Sequence, residues 1–416
     1  MRCCAFRSSI TGSTPVAAEQ SADPARVRAF AQVCALLNPF RGAQPPEPSA
    51  NTDWIAVEEF VNFHGVRPAL HKALSALPAT ARAPAAMLDR LATFQRLHRF
   101  RVMQTTAQIV ALAQGFEAAG ITALFFKGAM LGEQIYGGAQ YREFNDVDVL
   151  VAPAQRRRAE QMLEALGFAP VIAERAFRAA FFDYFRQHNF KHQPSGTTVD
   201  FHWGFVGTGP FPISVEKALA SADNLQLADT SIPVPPPQAQ ALILAGHGHK
   251  ENWASFGWVL DFATFAAGNR ALDWDLVAKD AHSQECLEPL LGAVLLTHRV
   301  FGVTIDQALL DGAAQRPAIV SNAGAVIVKL ATLAERQLAD DLMSGFHLCE
   351  TPRQRAAMAL SLITTPTIGD YEALPLSPRW WWMYRATRPI RLALRTLSRR
   401  APRPSKFWAR ANPPRA

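Results

Sequence analysis

The sequence predicts an α+β protein, with a small mixed β-sheet flanked by N-terminal and C-terminal α-helical regions. Three observations lead there. Apolar residues keep a helical rhythm through most of residues 25–120 and again after residue 236. Between them, residues 121–151 read as strand, tight turn, short helix and second strand. Residues 187–203 then alternate apolar and polar side chains around Pro194, Ser195 and Gly196, the pattern of a β-hairpin.

Length and composition agree with this. A chain of 416 residues exceeds the usual size of one domain, and 49% hydrophobic with 19% charged residues suits a packed core. The expected organisation is a disordered lead (1–24), an N-terminal helical region (25–120), an α/β core (121–235), a C-terminal helical region (236–375) and a basic, Trp-rich helix and tail (376–416). The net charge of +7 is modest and concentrated near the end, from Arg388 to Arg415. That gives no strong nucleic-acid signal, and leaves weak contact of the C-terminal tail with a membrane surface as an expectation. Trp380, Trp381 and Trp382 form the most membrane-like spot, too short to cross a bilayer. Cys3, Cys4, Cys34, Cys286 and Cys349 form no CxxC pair and no even framework, so neither a zinc site nor a secreted disulfide scaffold is indicated, and a reducing cytoplasm is expected. Arg2 and Arg7 have no apolar run behind them, so no secretory signal is expected.

In chain order, helices are predicted over 25–37, after a cap at Asn51 or Thr52, over 67–77 and over 83–119, where Gly120 ends the run. Strands follow at 121–126 and 145–151, separated by a helix over 129–136. A helix runs from Pro153 to Gly167, then an extended piece at 168–172 and a helical piece through Phe185. After the hairpin come helices over 239–253, 255–267, 273–281, 287–301, 322–343, 353–362 and 380–397.

The chemistry gathers on the strands. Asp146 and Asp148 share one face of their strand, roughly 7 Å apart, while Val147 and Val149 face the core. Asp200 and His202 share the polar face of the second hairpin arm. Whether Lys191 or His192 joins that face depends on a register that the sequence leaves open. Paired carboxylates repel unless a cation lies between them, and magnesium takes carboxylate, phosphate and water oxygens. Lys127-Gly128 at a strand-to-helix turn suits a phosphate at a helix N-terminus, and Arg142 can add charge there. Lys250 is a further candidate phosphate contact. His247 and His249 are two apart on a predicted helix and so do not face each other as a zinc pair would. No P-loop, esterase elbow or dinucleotide fingerprint occurs in the required context.

The stretches FFKGAMLGEQIYGG, YREFNDVDVLV and TTVDFHWGF resemble the uncharacterised bacterial nucleotidyltransferase family of the DNA polymerase β-like superfamily. Lys127, Gly128, Tyr136, Arg142, Asp146, Asp148, Asp200, His202 and Trp203 carry the likeness. HGHKENWASFGWVLDFA, with His247, Lys250, Trp253 and Asp261, extends it, so that it covers roughly residues 112–274. The turn reads Lys-Gly-Ala where the wider superfamily carries Gly-Ser. The resemblance implies a metal-dependent nucleotidyltransferase. Asp146, Asp148 and Asp200 would be catalytic and metal-binding, with Mg2+ or Mn2+ as cofactor and His202 in support. Lys127, Gly128, Arg142 and Lys250 would bind the nucleotide. The donor would be an NTP, with ATP expected. The acceptor, a small molecule, peptide or protein, is not implied. The alternative is a non-catalytic nucleotide-binding or pathway-accessory protein on the same fold.

Overall fold

A computed structural model describes residues 23–42, 45–78, 83–172, 186–205, 213–334, 346, 349 and 351–397. The helices before the sheet are α1 (Pro24–Leu36), α2 (Trp54–His64), α3 (Arg67–Ser75) and α4 (Ala85–Ala118). Then come β1 (Ala123–Phe126), α5 (Gly128–Tyr136), β2 (Asp146–Val151), α6 (Arg156–Ala165), β3 (Phe168–Pro170), β4 (Gln187–His192) and β5 (Thr198–His202). A short helix, α7 (Val215–Ala220), precedes the hairpin β6 (Asp223–Leu227) and β7 (Thr230–Val234). The helices beyond are α8 (Pro237–Lys250), α9 (Phe256–Gly268), α10 (Trp274–Ser283), α11 (Leu287–Phe301), α12 (Gln307–Ala314) and α13 (Pro317–Thr332). Last are α14 (Pro352–Thr364), α15 (Ile368–Ala373) and α16 (Met383–Leu397). The protein is α+β, as the pattern predicts.

Boundaries differ where a local signal outweighs the apolar rhythm. Asp53, rather than Asn51 or Thr52, caps α2, because its carboxylate accepts from the Ala56 N–H at 3.1 Å. Helix α13 begins at Pro317, where a proline fits the first turn, instead of at residue 322. Helix α16 begins at Met383 after a 3-10 turn at Pro378–Trp380. The helical piece expected through Phe185 lies outside the described residues.

The chain forms two compact units. One draws its described residues from Met1–Ala107, Lys127–Asn145 and Pro235–Leu348, and the other from Gln108–Phe126, Asp146–Val234 and Cys349–Ala416. In the first unit, Phe30, Phe60, Phe256 and Phe301 form a buried aromatic chain with ring centroids 5.4–6.1 Å apart. Burying each such ring stabilises the fold by roughly 1.5–3 kcal/mol. Helices α8, α10, α12 and α13 pack around α11, which is apolar on most sides.

The second unit is built on a five-stranded sheet in the order β1-β2-β5-β4-β3. Only β2 and β5 run parallel; the other neighbours are antiparallel. Pro170 lies on edge strand β3, where a missing N–H is tolerated. One sheet face carries Phe125, Val147, Val149, Phe190, Val199 and Phe201, all buried. The second half of α4 covers apolar surface here, with Phe116 edge-on to Phe125 at 6.3 Å. The opposite face carries Phe126, Asp148 and Asp200 side by side. Among the described residues no helix is long and apolar enough to cross a membrane.

Candidate active site

Strand alternation and register together make the acidic cluster. Asp148 on β2 pairs directly with Asp200 on β5, and Leu150 pairs with His202. Partners in register point to the same face, so two carboxylates meet side by side with an imidazole one pleat further on. His202 Nε2 lies 3.4 Å from an oxygen of Asp148 and 3.4 Å from an oxygen of Asp200. One ligand atom from each of Asp148, Asp200 and His202 falls within 4.8 Å of the others. The Asp148 and His202 side chains are buried and Asp200 is nearly so, at 16% exposure. The Phe126 ring stands edge-on to the imidazole at 5.2 Å and helps to dry this corner.

The electrostatics follow from that geometry. Burial disfavours a charged imidazole, but Asp200 and Asp148 outweigh it, and the His202 pKa is raised above its ordinary value. His202 Nδ1 is buried with no hydrogen-bond partner among the described residues. A divalent cation suits this set. Two buried carboxylates at one register offer the hard oxygen donors it prefers, and the imidazole offers a nitrogen donor. Asp146, half-buried, opens β2 opposite Thr198 and stands outside the three-residue cluster. The register also decides the open question on β4. Lys191 pairs with Thr198 and Asn189 with Asp200, so Lys191 lies on the acidic face, and His192 instead packs against Phe168.

The strand-to-helix turn belongs to the first unit. Lys127 has φ 57° and ψ −155°, a region that only glycine adopts readily, and Gly128 follows with φ 49°. Lys127 is the N-cap residue of α5 without a side-chain cap bond, so the first amides of that helix are not closed by it. Arg142 Nη1 donates to the Gly128 carbonyl at 3.3 Å. The rest of its guanidinium grips Asp261, with Nε 3.1 Å from both carboxylate oxygens and Nη2 2.8 Å from one. Tyr136 Oη donates to the same carboxylate at 2.9 Å, and His98 Nε2 lies 2.8 Å from the Arg142 carbonyl. Burial and the Asp261 charge push the Tyr136 pKa well above its ordinary value, so the phenol stays neutral. Lys250 ends α8, exposed, 3.8 Å from Glu251.

Residue by residue, the sheet brings Asp148 and Asp200 together as the alternation predicts, and it draws His202 in as a full third member. Arg142, read from sequence as a phosphate contact, is held by Asp261 and the turn carbonyl. The clamp of Tyr136 and Arg142 on Asp261 carried no local signal, since Arg142 and Asp261 are 119 residues apart. The aromatic wall at Phe126 is visible in sequence only as one more apolar strand residue.

Fold and site together define an α+β protein with a buried cluster of carboxylates at the centre of a small mixed sheet. Residues 50–302, more than half of the chain, match a family described as uncharacterised nucleotidyltransferase, and the chain belongs to that family. No curated protein matches it.

Proposed function

We propose that this chain transfers a nucleoside monophosphate from an NTP to a hydroxyl or phosphate of its acceptor in a metal-dependent reaction. An acceptor oxygen forms a bond to the α-phosphorus, the bond to the departing pyrophosphate breaks, and the acceptor proton passes to a nearby base or solvent. The observation that carries the reading is the register pair Asp148–Asp200 with His202, in a member of a nucleotidyltransferase family.

Asp148 and Asp200, with His202 and with Asp146 at the strand entrance, are the residues that would hold Mg2+ or Mn2+. A divalent ion in such a site neutralises phosphate charge and orients the reacting oxygens. Asp200, the least buried of the three, is suited to accept the proton of an incoming hydroxyl. Lys127 and Gly128 are assigned to the phosphates, with the backbone amides at the start of α5 as further donors. Lys250 is assigned a phosphate contact on its exposure and position in the family stretch. Arg142 serves the nucleotide by holding the Gly128 carbonyl and hence the turn.

A second reading, nucleotide binding without transfer, is favoured by one observation: Ala129 follows Gly128, so no serine hydroxyl is offered there. One experiment separates the two. ATP, GTP, CTP and UTP are each incubated with the protein and Mg2+ or Mn2+ in the presence of cell extract. Pyrophosphate release and label transfer are followed, with a chelator control. Metal-dependent transfer of label to one component supports the enzyme. Calorimetric NTP binding with no transfer to any component supports the binder.

A further inference from the structure

We propose that the C-terminal segment is a docking device for an anionic lipid surface. The inference is independent of the nucleotidyltransferase reading, and it begins with a helix whose polarity is inverted. Two arginines on the charged side of α16 face its neighbours, while Arg385 is exposed. Arg388 Nη1 donates to Asp370 at 2.8 Å and Arg391 Nε donates to it at 2.5 Å, and Asp370 is only 3% exposed. Tyr384, on the same side, is buried, donates to the Leu374 carbonyl at 2.8 Å and accepts from the Leu376 N–H at 2.8 Å. The opposite side is apolar and faces outward. Ile390 and Leu394, one helical turn apart, are each 61% exposed.

Neighbouring elements of the same unit also expose apolar side chains. Trp380 and Trp382 are exposed just before the helix, as are Leu360 and Ile363 on α14 and Leu374 after α15. Seven of the thirteen large apolar side chains exposed among the described residues therefore fall between residues 360 and 394. Apolar side chains gathered in this way mark a surface that binds something.

Charge identifies the occupant. None of the chain's 35 acidic residues lies after Glu372, whereas eleven of its 42 Lys and Arg residues do. The preceding chain is net acidic, and its end alone makes the whole basic. An apolar face with paired tryptophans and flanking cations supplies both contributions that hold an interfacial helix on an anionic bilayer. At fifteen residues, roughly 22 Å, α16 lies in the interface and does not span it. A second copy is disfavoured because a two-fold pairing through this face would bring two basic segments together. Nucleic acid is disfavoured because Arg388 and Arg391 turn inward onto Asp370 and the outward side is apolar.

The test is flotation of the full-length protein with vesicles of mixed phosphatidylglycerol and phosphatidylcholine, and with phosphatidylcholine alone. The expected result is association with the anionic vesicles that weakens with salt. Ile390→Ser with Leu394→Ser should cut it by about tenfold or more. Because both positions are exposed, the variant should keep its circular dichroism. Arg399→Glu, Arg400→Glu and Arg403→Glu together should lower association while leaving the apolar face in place. Absence of flotation at any anionic content overturns the proposal, as does flotation unmoved by the double serine variant. A dimer in light scattering that this variant converts to monomer assigns the face to self-association and likewise overturns it.

Discussion

Asp148 and Asp200 are direct register partners across the parallel strand pair β2–β5. A one-residue slip of β5 would turn Asp200 to the apolar face and break the cluster. The alternation Val147-Asp148-Val149 against Val199-Asp200-Phe201 prevents that slip, since it would turn the Asp200 carboxylate onto the apolar face that carries Val149 and Phe190. The residues that make the core thus fix the residues that make the site.

This pair gives the first prediction. Asp148→Asn or Asp200→Asn should lower metal-dependent pyrophosphate release by at least about a thousandfold, because each removes a charged oxygen donor. Neither should lower the urea midpoint, because each also relieves repulsion between buried like charges. Chemical denaturation beside a turnover assay checks both halves. Loss of activity that merely tracks loss of fold would contradict the assignment.

How much of this was legible depends on sequence distance and on local chemistry. The acidic strand, the hairpin turn at Pro194 to Gly196 and the Asp200-His202 arm are short-range patterns, and the structure carries all of them. The register that places Lys191 rather than His192 on the acidic face needs the partner strand. The β6–β7 hairpin leaves little sequence signal, because Pro233 lies within β7 and the turn at Ala228-Asp229 lacks glycine. The Arg142–Asp261 pair, 119 residues apart, leaves no periodic trace, and Arg142 alone resembles any cation near a phosphate turn.

The backbone at Lys127 gives a prediction that separates conformation from charge. Lys127→Gly and Lys127→Ala both remove the amine and should weaken NTP binding to a similar extent, measured by calorimetry. They should differ in stability. The strain of a non-glycine residue at φ 57° and ψ −155° is about 1–3 kcal/mol, and the added chain entropy of glycine offsets up to about 1. The glycine variant should therefore be more stable than the alanine variant by roughly 1 kcal/mol in urea titrations. Equal stabilities would show that the turn carries no strain.

The clamp on Asp261 predicts strong non-additivity. Both partners are largely shielded, at 13% and 5% side-chain exposure. Arg142→Ala leaves a buried carboxylate with only part of its support and should cost roughly 3–5 kcal/mol. Adding Asp261→Ala removes the stranded charge and should recover part of that loss. A double-mutant cycle by chemical denaturation measures the coupling, and additive losses would show the pair to be independent. Tyr136→Phe, which removes one hydrogen bond, should cost only about 1 kcal/mol.

His64 predicts the acid limb of stability. Its Nε2 lies 3.1 Å from the Leu330 carbonyl, and its Nδ1 accepts from the Phe256 N–H at 3.2 Å. One nitrogen must donate and the other accept, which only the neutral ring can do. Burial pulls its pKa down to about 4, and the Leu330 carbonyl only partly opposes this. The unfolded chain, with an ordinary value near 6.5, binds the proton first. The contribution is therefore complete above pH ~6.5 and is lost progressively as pH falls to about 4, on the order of 3 kcal/mol at most. His249, also lowered to about 4 by burial, adds a loss of the same sign. Replacing His64 by Gln, which can still donate to the Leu330 carbonyl, should flatten the fall in urea midpoint between pH 6.5 and 4 without abolishing it. A variant whose midpoint falls as steeply as the wild type would show that His64 is not neutral in the folded protein.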